Sequence, residues 1–387
     1  MKIQLLSFLL LLITCTGFAQ TFQIGHTTLT FIDASRGGRA IETEIYYPAD
    51  VPGNDVAVTA ETGTFPVLSF GHGFVMTYDA YQNIWEDIVP KGFIMAFPKT
   101  EGSFAPSHAE FAKDLAFVIT SLEVAGLNPA SLFYGRVDMM NAVLGHSMGG
   151  GAAFLAAAGN SQITALAVLA PAETNPSAIN AAGTLTIPSL VFAGANDCVT
   201  APASNQIPMY EALLSECKTY ISVTGGSHCQ MSNANFFCSF GESTCSPAPT
   251  ITRTQQHVVI SNYLGNWLKA TLKADCTAGT AFDTQLPADN RVTFQKNCLQ
   301  CNPLANTGFE EGHFKVSPNP FTNQITVATA EIREVTFSLY DARMRKVVEK
   351  VFVRTAEVII PEVLSGMYFY TMVCDGKVVK SGKMVKR

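Results

Sequence analysis

Past its N-terminal segment the sequence lacks any apolar run of the roughly eighteen residues that a membrane-spanning helix needs. It lacks an internal repeat, which excludes solenoid and propeller architectures. It also lacks basic excess where most of its length lies. Residues 20–302 carry twelve Lys and Arg against twenty-two Asp and Glu, a balance of −10, whereas residues 303–387 carry twelve against nine, or +3. The overall charge of −6 hides this asymmetry. An acidic main part repels phosphate, so neither nucleic acid nor an anionic membrane is expected as a partner.

What is present bounds the rest. A length of 387 residues allows two or three domains, and 48% hydrophobic residues are ample for a large core. The start carries Lys2, an apolar stretch from Leu5 to Ile13, and Thr16-Gly17-Phe18-Ala19 before Gln20. This is the pattern of a secretory signal peptide over 1–19, cleaved near Ala19. Export permits disulfides, and once Cys15 has left with the signal, nine of the ten cysteines remain.

Residues 22–31 and 40–47 predict two strands joined by a Gly-rich turn. Strand and helix then alternate from Pro66 to Leu272, and Phe111, Leu115, Val118, Ile119 and Leu122 line one face of a helix. Repeated βα units after an antiparallel start predict an α/β fold over 20–275, a mostly parallel sheet flanked by helices. Ligands in such sheets bind at the C-terminal strand ends. After Cys276 the pattern breaks down into a Cys-containing tail and linker over 276–315. Period-2 alternation then returns in short segments, predicting a small C-terminal β-sandwich over 316–387.

Chemistry concentrates at Leu144-Gly145-His146-Ser147-Met148-Gly149-Gly150-Gly151. Apolar Ala142-Val143-Leu144 reads as a strand and the Ala-rich run after Gly151 as a helix, so Ser147 occupies a nucleophile elbow. The Met148 N–H then lies at a helix N-terminus, where it can stabilise an oxyanion. A serine nucleophile needs a base and an acid, which follow an elbow serine in the order acid, then His. Three histidines come after Ser147. His313 falls in the linker and His257 inside the last helix, but His228 ends Thr224-Gly225-Gly226-Ser227-His228, directly after a strand. His228 is therefore the expected base. Asp197, in Gly194-Ala195-Asn196-Asp197, is the expected acid, with Glu173 as the alternative. The second oxyanion donor is assigned to the Phe74 N–H in Gly71-His72-Gly73-Phe74, with His72 ordering that loop. No cofactor or metal is called for.

The segment from Pro66 to about Leu272 resembles the α/β-hydrolase superfamily, and within it the cutinases and polyester hydrolases, including enzymes that cleave poly(ethylene terephthalate). The resemblance rests on Gly145 to Gly151, Ala170-Pro171, Phe192 to Asp197, and Gly225-Gly226-Ser227-His228-Cys229. It implies the α/β-hydrolase fold, a cleft lined by Phe74, and Met148 as an oxyanion position. Many of those hydrolases carry Trp where this chain has Ala172, so one aromatic clamp is missing. The link Pro171 to Thr186 is too short for a lid, so an open groove lined by Phe74, Met148 and Tyr78 is expected.

Val316-Ser317-Pro318-Asn319-Pro320, Leu364-Ser365-Gly366-Met367-Tyr368 and the basic end resemble the sorting domain of the Por (type IX) secretion system. That likeness implies export to the surface of a Gram-negative cell through the secretion machinery. The function expected is a secreted serine ester hydrolase acting on polyester. The alternatives are a small-ester or chlorophyllase-like esterase, and a binding protein on a silent scaffold. Topology suggests Cys198–Cys229, Cys217–Cys276, Cys238–Cys245 and Cys298–Cys301 disulfides, leaving Cys374 over.

Overall fold

The computed structural model describes residues 21–300 and 314–387, apart from 330–332, 342–344, 362 and 375–376. The expected signal peptide, Cys301, the linker residues 302–312 and His313 lie outside the described residues. Two compact units divide between Cys301 and Asn302.

The first unit runs β1 (Gln23–Asp33), β2 (Arg39–Ala49), β3 (Gly53–Asn54), β4 (Phe65–Gly71), α1 (Gln82–Ile88), β5 (Ile94–Pro98) and α2 (His108–Leu127). It continues through β6 (Val137–His146), α3 (Met148–Ala157), β7 (Leu166–Leu169), α4 (Ala178–Ala182), β8 (Ser189–Gly194), α5 (Gln206–Ala212) and β9 (Lys218–Val223). It ends with α6 (Phe236–Glu242), α7 (Arg253–Lys273), α8 (Cys276–Gln285) and β10 (Val292–Lys296). One ten-stranded sheet has the order β10-β9-β8-β7-β6-β4-β5-β2-β1-β3. Its centre, from β5 through β4 and β6 to β9, is parallel. The β1–β2 hairpin and β10 flank that centre antiparallel.

Every residue of β4, β5, β7 and β8 is buried. Strands covered on both faces need continuous apolar runs, and these have them. Helices α2, α3 and α4 share one core with one face of the sheet, and α1, α7 and α8 share another with the opposite face. Ser107 starts α2 by accepting from the Glu110 N–H, and the stripe from Phe111 to Leu122 is fully buried as its spacing predicts. Thr252 and Gln255 form a capping box that starts α7. The chain therefore adopts the α/β-hydrolase architecture.

The second unit contains β11 (Phe314–Ser317), β12 (Gln324–Thr329), β13 (Val335–Tyr340), β14 (Lys346–Phe352), β15 (Thr355–Ile359), β16 (Gly366–Cys374) and β17 (Lys377–Lys386). They form sheets of order β11-β12-β15 and β14-β13-β16-β17. Ile325, Val327 and Val358 of the first sheet share a core with Phe337, Leu339 and Met372 of the second. This is a small β-sandwich, and the basic end of the chain lies in its strand β17.

Two expectations are corrected. The stretch after Cys276 is not a tail up to the linker: Asp275 caps α8, and β10 adds to the β9 edge of the main sheet. Five residues of alternation are too short to announce a strand until β9 offers an edge. The disulfides differ for the same reason. Lys296 pairs with Thr219, so the antiparallel register carries Cys298 to Cys217 at the start of β9. Cys217 bonds Cys298, neither Cys217–Cys276 nor Cys298–Cys301 forms, and Cys276 is itself disulfide-bonded. Asn235 caps α6 and turns Cys238 back onto Cys229, giving Cys229–Cys238 and leaving Cys198 to bond Cys245. These replace the expected Cys198–Cys229 and Cys238–Cys245. Cys374 is buried in the second unit.

Removing the Cys217–Cys298 bridge with a double Ser substitution should cost about 2–4 kcal/mol, because it closes a long loop in the unfolded chain. Denaturant melts of the oxidised protein check the magnitude, and peptide mapping that joined Cys298 to Cys301 would refute the register argument.

Candidate active site

β6 ends at His146 and α3 begins at Met148, so Ser147 alone makes the turn. Its φ of 56° and ψ of −122° lie where a residue with a side chain is strained, at a cost of roughly 1–3 kcal/mol. The surroundings hold it there. The Ser147 N–H donates to the Leu169 carbonyl at 3.1 Å, and the Ser147 carbonyl accepts from Ala172 at 2.9 Å and Gly151 at 3.0 Å. Close packing explains the neighbouring glycines. A Cβ on Gly149 would lie 2.1 Å from the Gly71 carbonyl oxygen, and one on Gly145 would lie 2.4 Å from the Gly149 backbone.

Asp197 follows β8 and His228 follows β9, and the two loops are bound together. Asn196 donates to the Gly226 carbonyl and Ala195 to the Val223 carbonyl. The His228 Nδ1 lies 2.8 Å from the Asp197 Oδ2, with these side chains 2% and 0% exposed. A carboxylate only accepts, so Nδ1 carries the proton and Nε2 is left with a lone pair. The other Asp197 oxygen accepts the N–H groups of Val199 and Thr200, and the Thr200 hydroxyl lies 2.9 Å from both Oδ2 and Nδ1. Gln206 donates to that hydroxyl and to the Pro171 carbonyl. Behind the His228 loop, the Gln256 amide pairs with both backbone groups of Ser227, and Arg253 donates to the carbonyls of Cys229 and Ser232.

A second chain of hydrogen bonds crosses under the elbow. The Gly73 N–H donates to the Tyr81 hydroxyl at 2.7 Å, and that hydroxyl lies 3.0 Å from the His146 Nδ1. The His146 Nε2 lies 3.2 Å from the His228 carbonyl. Because the carbonyl only accepts, Nε2 carries the proton and Nδ1 accepts from Tyr81. Burial, reinforced by the His228 ring 4.6 Å away, pushes the His146 pKa well below the usual histidine value, so this ring stays neutral. The Gly73 N–H is thus engaged.

The remaining expected residues separate clearly. Ala172 stands against the Ser147 carbonyl, and the buried Met148 opens α3. Phe74 is 47% exposed, with its ring beside Phe104. Tyr78 packs against Trp85 and under the Lys99 ammonium, neither of which belongs to the elbow or to the Asp197 and His228 loops. The Glu173 carboxylate caps α4 at the Ile179 N–H, whereas Asp197 is the acid bonded to His228. His72 bridges the Gly73 and Thr100 carbonyls, and His257 bonds the Ser232 carbonyl from within α7. Sequence reading missed Thr200, Tyr81, His146, Gln206 and Gln256. Only His146, as the variable position before Ser147, and Thr200, three residues past Asp197, carried a signal. Among the described residues no group of three His, Cys, Asp or Glu side chains could hold a metal.

The PET hydrolase-like family matches residues 17–244, and the secretion system C-terminal sorting domain matches residues 315–387. Cutinase est2 of Thermobifida alba is 25% identical over 186 residues, 48% of this chain and 56% of that protein. The chloroplastic chlorophyllase-1 of Citrus unshiu is 33% identical over 101 residues, 26% of this chain and 30% of that protein. The chain thus spans about half the length of the first of these relatives and less of the second.

Two outcomes follow from the buried network. Tyr81→Phe deletes the hydroxyl shared by Gly73 and His146, and should lower kcat by about tenfold to a hundredfold with little change in KM, since a displacement of about 1 Å in reacting groups carries a cost of that order. An unchanged kcat on a soluble ester would show that the relay positions nothing. Burial lowers the pKa values of His72, His146 and His257 alike. The unfolded chain, with histidines near 6.5, therefore binds more protons below about that pH, and stability that is complete above it drains away as pH falls through it. Calorimetry from about pH 8 to 5 should show Tm falling, and His257→Gln should lessen the fall.

Proposed function

Because the chain belongs to the PET hydrolase-like family, we propose that it is a secreted serine ester hydrolase that works through an acyl-enzyme and accepts polyester as well as small esters. The carrying observation is the buried Asp197–His228 pair, 2.8 Å apart, on the sheet edge where Ser147 is held in a strained turn. The Ser147 Oγ attacks the ester carbonyl as His228 Nε2 takes its proton, and Asp197 stabilises the resulting imidazolium. The oxyanion is met by the N–H groups of Met148 and Phe74. The alcohol leaves with the proton from His228, and water then repeats the sequence to free the acid. Over the full cycle each group returns to its starting charge.

The link from β7 to β8 holds only the short helix α4, which supports an open approach to Ser147. Phe74 and Ala172 then border the site, and Ala172 supplies no stacking surface. That loss, worth about 0.5–1.5 kcal/mol beyond buried area, favours fast turnover of short soluble esters and slow attack on an aromatic polymer. The C-terminal sandwich carries the sorting-domain match, and its role is to hand the chain to secretion machinery after the N-terminal signal has been removed.

Ser147→Ala and His228→Ala should each lower kcat on p-nitrophenyl butyrate by about four to six orders of magnitude, and Asp197→Asn should cost far more than Glu173→Gln. Appreciable activity in Ser147→Ala would overturn the mechanism. A panel of esters of rising chain length beside aliphatic and aromatic polyester films decides the substrate class. Good butyrate turnover with no product from either film would reduce the function to that of a small-ester hydrolase.

A further inference from the structure

Between His228 and α7 the chain makes an excursion that contains α6, and α6 turns three phenylalanines outward. Phe236 and Phe240 are 74% and 73% exposed and Phe237 is 47% exposed. Phe104, in the loop after β5, is 73% exposed. These rings are not scattered. The Phe74 ring lies 6.3 Å from Phe104, Phe104 lies 6.1 Å from Phe237, Phe237 lies 5.5 Å from Phe236, and Phe236 stacks 6.4 Å from Phe240. A contiguous exposed aromatic surface is uncommon on a soluble protein and marks a place where something apolar binds.

The row has an origin and a fixed mount. It begins at Phe74, whose N–H serves the proposed oxyanion site, so a molecule lying along the row has one part at Ser147. Cys238, inside α6, is bonded to Cys229 directly after His228, and Cys245 is bonded to Cys198 directly after Asp197. Both disulfides anchor the aromatic surface to the loops that carry the base and the acid. The row itself holds no charged side chain to pair with a charged partner, and the acidic balance of residues 20–302, twenty-two acidic against twelve basic groups, disfavours an anionic one, so an uncharged partner fits it best. Aromatic rings on the partner add edge and face contacts that an aliphatic chain cannot make.

We propose that the row from Phe74 to Phe240 is a docking surface for aromatic polyester, which holds the polymer against the protein and leads a chain segment to Ser147. It rests on the reading of the protein as an ester hydrolase. It supplies, outside the cleft, the stacking surface that Ala172 does not supply inside it.

The test uses the full chain with Phe104→Ser, Phe236→Ser and Phe240→Ser combined. Tm should be unchanged and kcat/KM on p-nitrophenyl butyrate should stay within about twofold, because all three rings are solvent-facing, while adsorption to amorphous poly(ethylene terephthalate) film falls at least about fivefold. Adsorption is read in a Ser147→Ala background, so turnover does not interfere. The matching Leu substitutions keep apolar area without rings. They should retain adsorption to an aliphatic polyester film and lose it on the aromatic one. Ring-dependent adsorption supports the docking surface even where the active chain releases no product, an outcome that counts against polymer hydrolysis alone. Unchanged film adsorption in the Ser variant overturns the proposal. So does ring-dependent binding to neutral phosphatidylcholine vesicles with none to film, or a dimer that the Ser variant converts to monomers.

Discussion

Helix α3 can approach the end of β4 only because Gly149 has no side chain. A single methyl there would press 2.1 Å from the Gly71 carbonyl oxygen. The contact sets the angle at which α3 leaves the sheet, and so it holds Ser147 in its strained turn. It also brings the backbone of Gly71 and His72 against the first turn of α3. Strain of roughly 1–3 kcal/mol persists at one residue because the packing around it allows no relaxed alternative.

Around this contact the polar groups form closed circuits. Tyr81 and His146 connect the Gly73 loop to the His228 loop through neutral, buried groups, and Thr200 and Gln206 connect Asp197 to the chain after β7. Partners that each have a single possible donor direction determine the tautomers of both His146 and His228. Preorganisation of this kind avoids reorienting dipoles during reaction, which is the main way such sites lower a barrier. Burial that keeps His146 neutral is part of the same arrangement, since a charge there would oppose the imidazolium that the proposed mechanism places on His228.

The excursion between His228 and α7 gives the molecule its individual character. In place of a lid after β7, the chain spends length on a disulfide-anchored helix whose outer side is aromatic. Both bridges reach back to residues next to Asp197 and His228, so the apolar surface and those two loops share one rigid frame. The Asp197 and His228 loops are thereby tied covalently to the α6 segment, in addition to the hydrogen bonds that join them directly.

Much was legible along the chain. Gly145 to Gly151 can hardly be anything but a strand, a tight turn and a helix, and the run of βα units with Asp197 and His228 at strand ends fixes their side of the sheet. Those inferences depend on local patterning, which a sequence carries in full. Five residues from Val292 to Lys296 became a strand only because β9 presented an unpaired edge, and that pairing alone carried Cys298 to Cys217. Tyr81, Gln256 and the aromatic row gained meaning only when residues far apart in sequence were brought within hydrogen-bond or ring contact. A disulfide or a buried hydrogen bond depends on distances of a few ångströms, and spacing along a chain does not determine these until the packing has done so.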